Sequence, residues 1–122
     1  MMRDKNALLY EEKTYKIIGA CMKVHRNLGP GFLESVYQEA LEKEFKSQKI
    51  DFQRQLKIRL MYEGQPMKKY FVADFLCYDK ILLEIKAASF LVKDVEAQLI
   101  NYLKSTELPL GLLVNFGQKS LV

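Results

Sequence analysis

Apolar positions divide the chain into segments of two different periods. From Tyr10 to Asn27, Ile17, Ile18, Cys21, Met22 and Val24, with Leu28 just beyond, recur at helical spacing and predict a first amphipathic helix. Asn27-Leu28-Gly29-Pro30-Gly31 ends it, because two glycines and a proline sustain no helix. A second helix is predicted from Phe32 to Gln48, with Leu33, Val36, Tyr37, Ala40, Leu41 and Phe45 on its apolar side. The period then drops to two. In Gln55-Leu56-Lys57-Ile58-Arg59-Leu60 the apolar residues face one way and the bases the other, as in a half-buried strand. Met61 to Pro66 reads as a turn, Lys68 to Val72 leads into a second strand that carries Asp74, and Tyr78-Asp79-Lys80 separates it from the third, Ile81 to Ala87. A third helix is predicted from Val92 or Lys93 to Ser105, with Val95, Leu99, Tyr102 and Leu103 inward. Pro109 then opens Leu110 to Phe116, a continuous apolar run of the kind expected for a fully buried parallel strand.

Read in order, the elements are helix, helix, three strands, helix, strand. That order suits an α/β sandwich whose last strand returns parallel through a right-handed crossover. One domain accounts for residues 1–122, with 1–9 read as a disordered tail. Lys119 to Val122 reads as the start of another element, compatible with a truncated or a native end.

Two charges interrupt the third strand. Leu82, Glu84 and Lys86 share one face, and Leu83 and Ile85 the other. If Tyr78 to Lys80 form the loop, Cys77 pairs with Ile81 and Asp74 falls opposite Glu84, with Cβ atoms roughly 4.5–5.5 Å apart. A two-residue loop would set Asp74 opposite Leu83 unless a bulge reset the count. Carboxylates this close do not both stay ionised without a compensating charge, and a hard divalent cation supplies one. Lys86, one pleat further on, would orient an attacking water or steady a phosphate. The plainer alternative is an ordinary Glu84–Lys86 ion pair with Asp74 capping the hairpin.

Composition narrows the partners only slightly. The 122 residues are 49% hydrophobic and 28% charged, which is globular, and the net charge of +4 tolerates a polyanion without demanding one. No apolar run approaches the ~20 residues of a membrane helix, so a soluble, cytoplasmic protein is expected. Cys21 and Cys77 lack a Cys-x-x-Cys or Cys/His cluster and read as reduced core thiols. His25, the only histidine, sits in the last turn of the first helix, where the dipole favours a cation. Without a second histidine, a histidine-based triad or metal centre is hard to assemble, and the sequence argues against both. Lys57 and Arg59 read as a solvated face, with a nucleic-acid contact as the alternative. Glu34, in the first turn of the second helix, is explained by the helix dipole alone. Gln98 shares a helix face with Tyr102, at a border where an amide would reach Lys86 or a phosphate oxygen.

Asp74, a short hairpin and then Glu84-Ile85-Lys86 resemble the PD-(D/E)XK nuclease superfamily, although Ala73 stands where that name has Pro. Gly31-Phe32-Leu33-Glu34-Ser35-Val36-Tyr37 matches the motif of its GxxExxY branch, and Ala97 to Leu103 is similar to that branch's following helix. The resemblance runs from Ile17 to Phe116. It implies a restriction-endonuclease-like core, a mixed four-stranded sheet flanked by helices, and a nuclease dependent on Mg²⁺ or Mn²⁺ that acts on DNA or RNA. It implies that Asp74, Glu84 and the backbone carbonyl of Ile85 bind the metal. Glu34 becomes a third carboxylate that holds the metal or its water, Lys86 positions or activates that water, and Gln98 belongs to the site. Tyr37 either buttresses Glu34 or fills the core. The rival readings are a non-catalytic nucleic-acid-binding or protein-interaction module, and a subunit whose site a partner completes.

Overall fold

The computed structural model describes residues 10–91 and 93–121. Expectations placed on residues 1–9, Val92 and Val122 lie outside the described residues. The elements are α1 (Glu11–Leu28), α2 (Glu34–Ser47), β1 (Phe52–Tyr62), β2 (Gln65–Cys77), β3 (Ile81–Lys86), α3 (Lys93–Thr106) and β4 (Leu110–Asn115). The expected order is present. The strands lie side by side as β1-β2-β3-β4, antiparallel except for the parallel pair β3 and β4, so the sheet is mixed.

Two apolar clusters cover the two faces of the sheet. Ile17, Cys21 and Val24 of α1 and Tyr37, Leu41 and Phe45 of α2 pack on Ile81, Leu83, Ile85, Leu110, Leu112 and Val114. Leu99 of α3, with Val95, Tyr102 and Leu103 around it, packs on Ile58, Ala73, Leu82 and Leu113. Each fully buried Leu or Ile contributes about 1.5–3 kcal/mol relative to exposure. Strict alternation along β3 results: its odd residues meet α1 and α2, and Leu82 meets α3. No helix among the described residues is long and apolar enough to cross a membrane.

Several boundaries differ from the sequence reading, among them the start of α2 and the strand ends at the β1–β2 turn. Helix α2 starts at Glu34 rather than Phe32 because Leu33 is extended, with φ −65° and ψ 151°. The loop before it uses φ 70° at Gly29 and φ 107° at Gly31, values that side chains disfavour. Strands β1 and β2 run well beyond the alternating core because Glu63 and Gly64, at φ 49° and 77°, close a tight turn between Tyr62 and its partner Gln65.

Strand β2 is irregular in two places: its register with β1 shifts opposite Arg59–Met61, and further along it changes the face it packs on. Phe71 and Ala73 belong to the α3 side, yet Phe75 and Cys77, of the same parity, belong to the α1–α2 side. The strand changes face at Asp74. Opposite it, Gln55 of β1 adopts φ 58° between the pairs Arg54–Phe75 and Leu56–Ala73.

Candidate active site

The β2–β3 hairpin has the three-residue connection. Tyr78 and Asp79 take φ 55° and 58°, the Lys80 N–H donates to the Cys77 carbonyl at 3.1 Å, and Cys77 pairs with Ile81. Pairing continues through Leu76–Leu82 to Phe75–Leu83 and stops there. Beyond it the side chains replace the ladder. The Asp74 N–H donates to Glu84 Oε1 at 2.9 Å, and the Ile85 N–H donates to Asp74 Oδ2 at 2.8 Å. Each strand's carboxylate thus satisfies a backbone donor that the other strand no longer pairs. This reciprocal arrangement holds both acids in fixed rotamers at the point where β2 changes face.

Helix α2 supplies the next layer. Gln38, one turn after Glu34, donates its amide to Asp74 Oδ1 at 2.6 Å. The sequence reading gave Gln38 no role; the available signal was its i,i+4 spacing from Glu34 on one helix face. Tyr37 fills the core, as the second of its two readings required. Its ring stacks on Phe116 with centroids 4.7 Å apart. It also ties down the loop ahead of Glu34: its hydroxyl donates to the Gly29 carbonyl and accepts from the Phe32 N–H at 3.3 Å. Glu34 therefore opens α2 from an anchored loop, half-buried and within electrostatic reach of both Asp74 and Lys86.

Burial dominates the electrostatics. It pushes the Glu84 carboxyl up to about 8, with the Asp74 charge adding to the shift and the Asp74 N–H and Lys86 opposing it. Asp74 is raised by burial, partly offset by the Ile85 N–H, Lys86 and Gln38. Glu34 is raised by burial too, with Lys86 opposing and Asp74 adding. Lys86 lies close enough to act on all three, but among the described residues no carboxylate oxygen comes within ion-pair distance of it. The ordinary Glu84–Lys86 ion pair of the plainer reading is absent among those residues.

Below the acids, β4 fixes where β3 ends. The Phe116 N–H donates to the Lys86 carbonyl at 2.7 Å. Buried Asn115 accepts from the N–H groups of Ala88 and Gly117, each at 3.0 Å, and donates to the Ala88 carbonyl at 2.9 Å. Nothing in the sequence distinguished Asn115 from the rest of an apolar strand. Gln98 is exposed; its amide donates to the Tyr102 hydroxyl at 3.3 Å, and it lines a hollow with Leu60, Asp94 and Asn101. Its polar contact thus lies on α3 rather than at the carboxylates. His25 is buried and donates from Nε2 to the Gln118 carbonyl at 2.7 Å, a structural role. Cys21 and Cys77 are free, buried thiols, and burial raises both, Cys77 to about 12.

As a donor set, Asp74 and Glu84 fit a hard divalent cation. A carboxylate oxygen has two lone pairs, so the three oxygens already bonded each keep one, and Glu84 Oε2 has no hydrogen bond among the described residues. The Ile85 N–H faces Asp74, and a residue's N–H and C=O leave a strand on the same side, which directs the Ile85 carbonyl there as well. Among the described residues no three His, Cys, Asp or Glu side chains gather closely enough to cage a metal unaided. The shortfall is of the kind Mg²⁺ tolerates, since it commonly keeps several waters beside one or two carboxylates.

Comparison with curated proteins and with solved structures gave no match. A protein-family model described as PD-(D/E)XK nuclease superfamily matches residues 11–122. That span includes every element of the fold and both acids of the hairpin, and the chain belongs to the PD-(D/E)XK nuclease superfamily.

Proposed function

We propose that the protein is a nuclease of the GxxExxY type that uses Mg²⁺ or Mn²⁺ to hydrolyse phosphodiester bonds in DNA or RNA. The observation that carries this reading is the Asp74–Glu84 pair, two buried acids held across the end of a ladder by backbone N–H groups of the opposite strand, Glu84 by that of Asp74 and Asp74 by that of Ile85. Asp74, Glu84 and the Ile85 carbonyl would hold the cation, and Glu34 would hold a water beside it. The cation supplies Lewis acidity, making an attacking water more acidic and offsetting charge that builds on the phosphoryl oxygens.

The chain's own residues do the remaining work. Gln38 keeps the Asp74 carboxylate turned toward the site through its bond to Oδ1. Lys86 offers three N–H donors on the same strand face as Glu84, and from there it orients the water for in-line attack or steadies a phosphate oxygen. Gln98 enters only as an outer phosphate contact, because its amide engages Tyr102. The non-catalytic reading draws support from one feature, the lack of a self-sufficient three-acid cluster among the described residues.

Cleavage decides between them. Circular and end-labelled single-stranded and duplex DNA, and RNA, are incubated with Mg²⁺ or Mn²⁺ beside identically purified Glu84→Ala and Lys86→Ala proteins. Products formed by wild type and lost in both variants are expected. No products from a folded, metal-binding protein would move the weight to a binding module, and equal activity in the variants would mean the site lies elsewhere.

A further inference from the structure

The β1–β2 ribbon presents a bare, basic face that runs directly into Asp74. Between Ala73 and Tyr70 the pairing with β1 is regular, so Tyr70 and Val72 point to one side while Phe71 and Ala73 point to α3. Asp74 continues that alternation and meets Gln38 of α2, which places Tyr70, Val72 and Asp74 on the same face of the sheet. On this face the helix layer stops short. Its aromatic edge is Phe45, Phe52 and Phe75, and past it Tyr70 is 49% exposed and Val72 37%. On the other face Phe71 stacks on Tyr102 with centroids 3.7 Å apart, so the ribbon is anchored from behind.

The side chains around this bare face share one sign of charge. Lys57 lies opposite Val72 and Arg59 opposite Tyr70. The Lys57 ammonium sits 5.1 Å from the Tyr70 ring centroid, and Arg59 is braced by donating to the Met67 carbonyl at 2.9 Å. From Phe52 to Ala73 the ribbon carries Arg54, Lys57, Arg59, Lys68 and Lys69 against a single acid, Glu63 at the turn, an excess equal to the net charge of the whole chain, +4. Arg54 is engaged by Glu42 at 2.8 Å, and the other four bases are exposed. An exposed ring flanked by cations suits unpaired nucleic acid. Its phosphates meet the bases of the ribbon and one of its bases stacks on Tyr70, whereas a duplex offers no free base face to the ring.

We propose that this face, Lys57, Arg59, Tyr70 and Val72, is the track on which an unpaired DNA or RNA strand reaches the Asp74–Glu84 site, with a base stacked on Tyr70. The inference rests on the nuclease reading for its direction, but its test does not require cleavage. Fluorescence anisotropy in chelator, where no metal-dependent reaction runs, compares labelled oligo(dT), oligo(U) and a mixed-sequence duplex on wild type, Tyr70→Ala, Tyr70→Phe and Lys57→Ala. Thermal melting confirms that each variant is folded.

Tyr70→Ala is expected to weaken single-strand binding about tenfold and Tyr70→Phe to restore it, as stacking requires. Lys57→Ala is expected to lower the salt slope for single strands by about 0.7, the loss of one phosphate contact. Comparison of the two single strands shows whether the track prefers DNA or RNA. Single-strand binding unchanged in folded Tyr70→Ala would overturn the proposal. So would a duplex bound as tightly as the single strands and equally weakened by Tyr70→Ala, or self-association through this face with no oligonucleotide bound. Because the readout is binding without metal, a failure here speaks to the ribbon, and a failure of cleavage speaks to the carboxylates.

Discussion

At Glu84, burial and the adjacent Asp74 charge both oppose ionisation and push the carboxyl up to about 8. In the unfolded chain that group returns to the ordinary carboxylate range, so the folded state binds its proton more tightly. The resulting stabilisation is complete below the ordinary range and is lost as pH rises through about 8. In chelator, the melting temperature is therefore expected to fall between about pH 5 and pH 9, and Glu84→Gln to flatten that fall and melt above wild type at the alkaline end. Identical pH profiles for the two proteins would assign the titration to another group. Gln38 makes the opposite contribution, since it hydrogen-bonds the charged form of Asp74. Gln38→Ala is expected to cost about 1–3 kcal/mol in denaturant unfolding at neutral pH, and Gln38→Glu to cost at least as much by setting another acid against Asp74. At this scale the sequence displayed Asp74, Glu84 and Lys86 because charges stand out in a buried strand. It did not display Gln38 or Asn115, because an amide looks alike whether it faces water or a carboxylate.

Among the elements, the end of β3 is held by β4 rather than by its own hairpin partner. Asn115 satisfies both backbone groups of Ala88, and Gly117 lies so close that an added Cβ would collide with the Ala88 backbone. Asn115→Ala leaves three backbone groups without that partner and is expected to lower stability by about 2–3 kcal/mol. Gly117→Ala is expected to destabilise as well and to weaken metal binding, because it moves the segment that follows Lys86. A Gly117→Ala protein with wild-type melting and metal affinity would show that this clamp does not position the site. Tyr37→Phe probes the other anchor. It keeps the ring stacked on Phe116 but releases the Gly29–Phe32 loop, so a loss of about 1 kcal/mol is expected in denaturant unfolding. Helices and strands were legible because their periods differ, whereas the loop length at Tyr78–Lys80 was open between two and three residues, and the three-residue alternative is the one that pairs Cys77 with Ile81. The change of face at Asp74 was not legible, since it depends on Gln55 adopting φ 58°, a conformation that no glycine or asparagine announces there.

For the molecule as a whole, the site lies where the layers come apart. Helices α1 and α2 cover one face of the sheet and α3 the other, and Asp74 occupies the residue at which β2 passes from one layer's packing to the other's. Two buried acids there are unfavourable in a metal-free core, a local cost offset by the apolar packing on both faces. The order of elements and the family match agree on the fold, and neither depends on the site being active. Whether that costly pair grips a cation is therefore the decisive question. The most direct measurement is a calorimetric Mn²⁺ titration at about pH 8.5, where Glu84 is mostly ionised, on wild type, Asp74→Ala, Glu84→Gln and Gln98→Ala. Binding by wild type and Gln98→Ala that Asp74→Ala and Glu84→Gln both lose is the expected result, with a matching melting shift of roughly 2.7 kcal/mol at 100 times the dissociation constant. Wild type that binds no Mn²⁺, or Asp74→Ala that binds it equally well, would contradict a metal site at this pair.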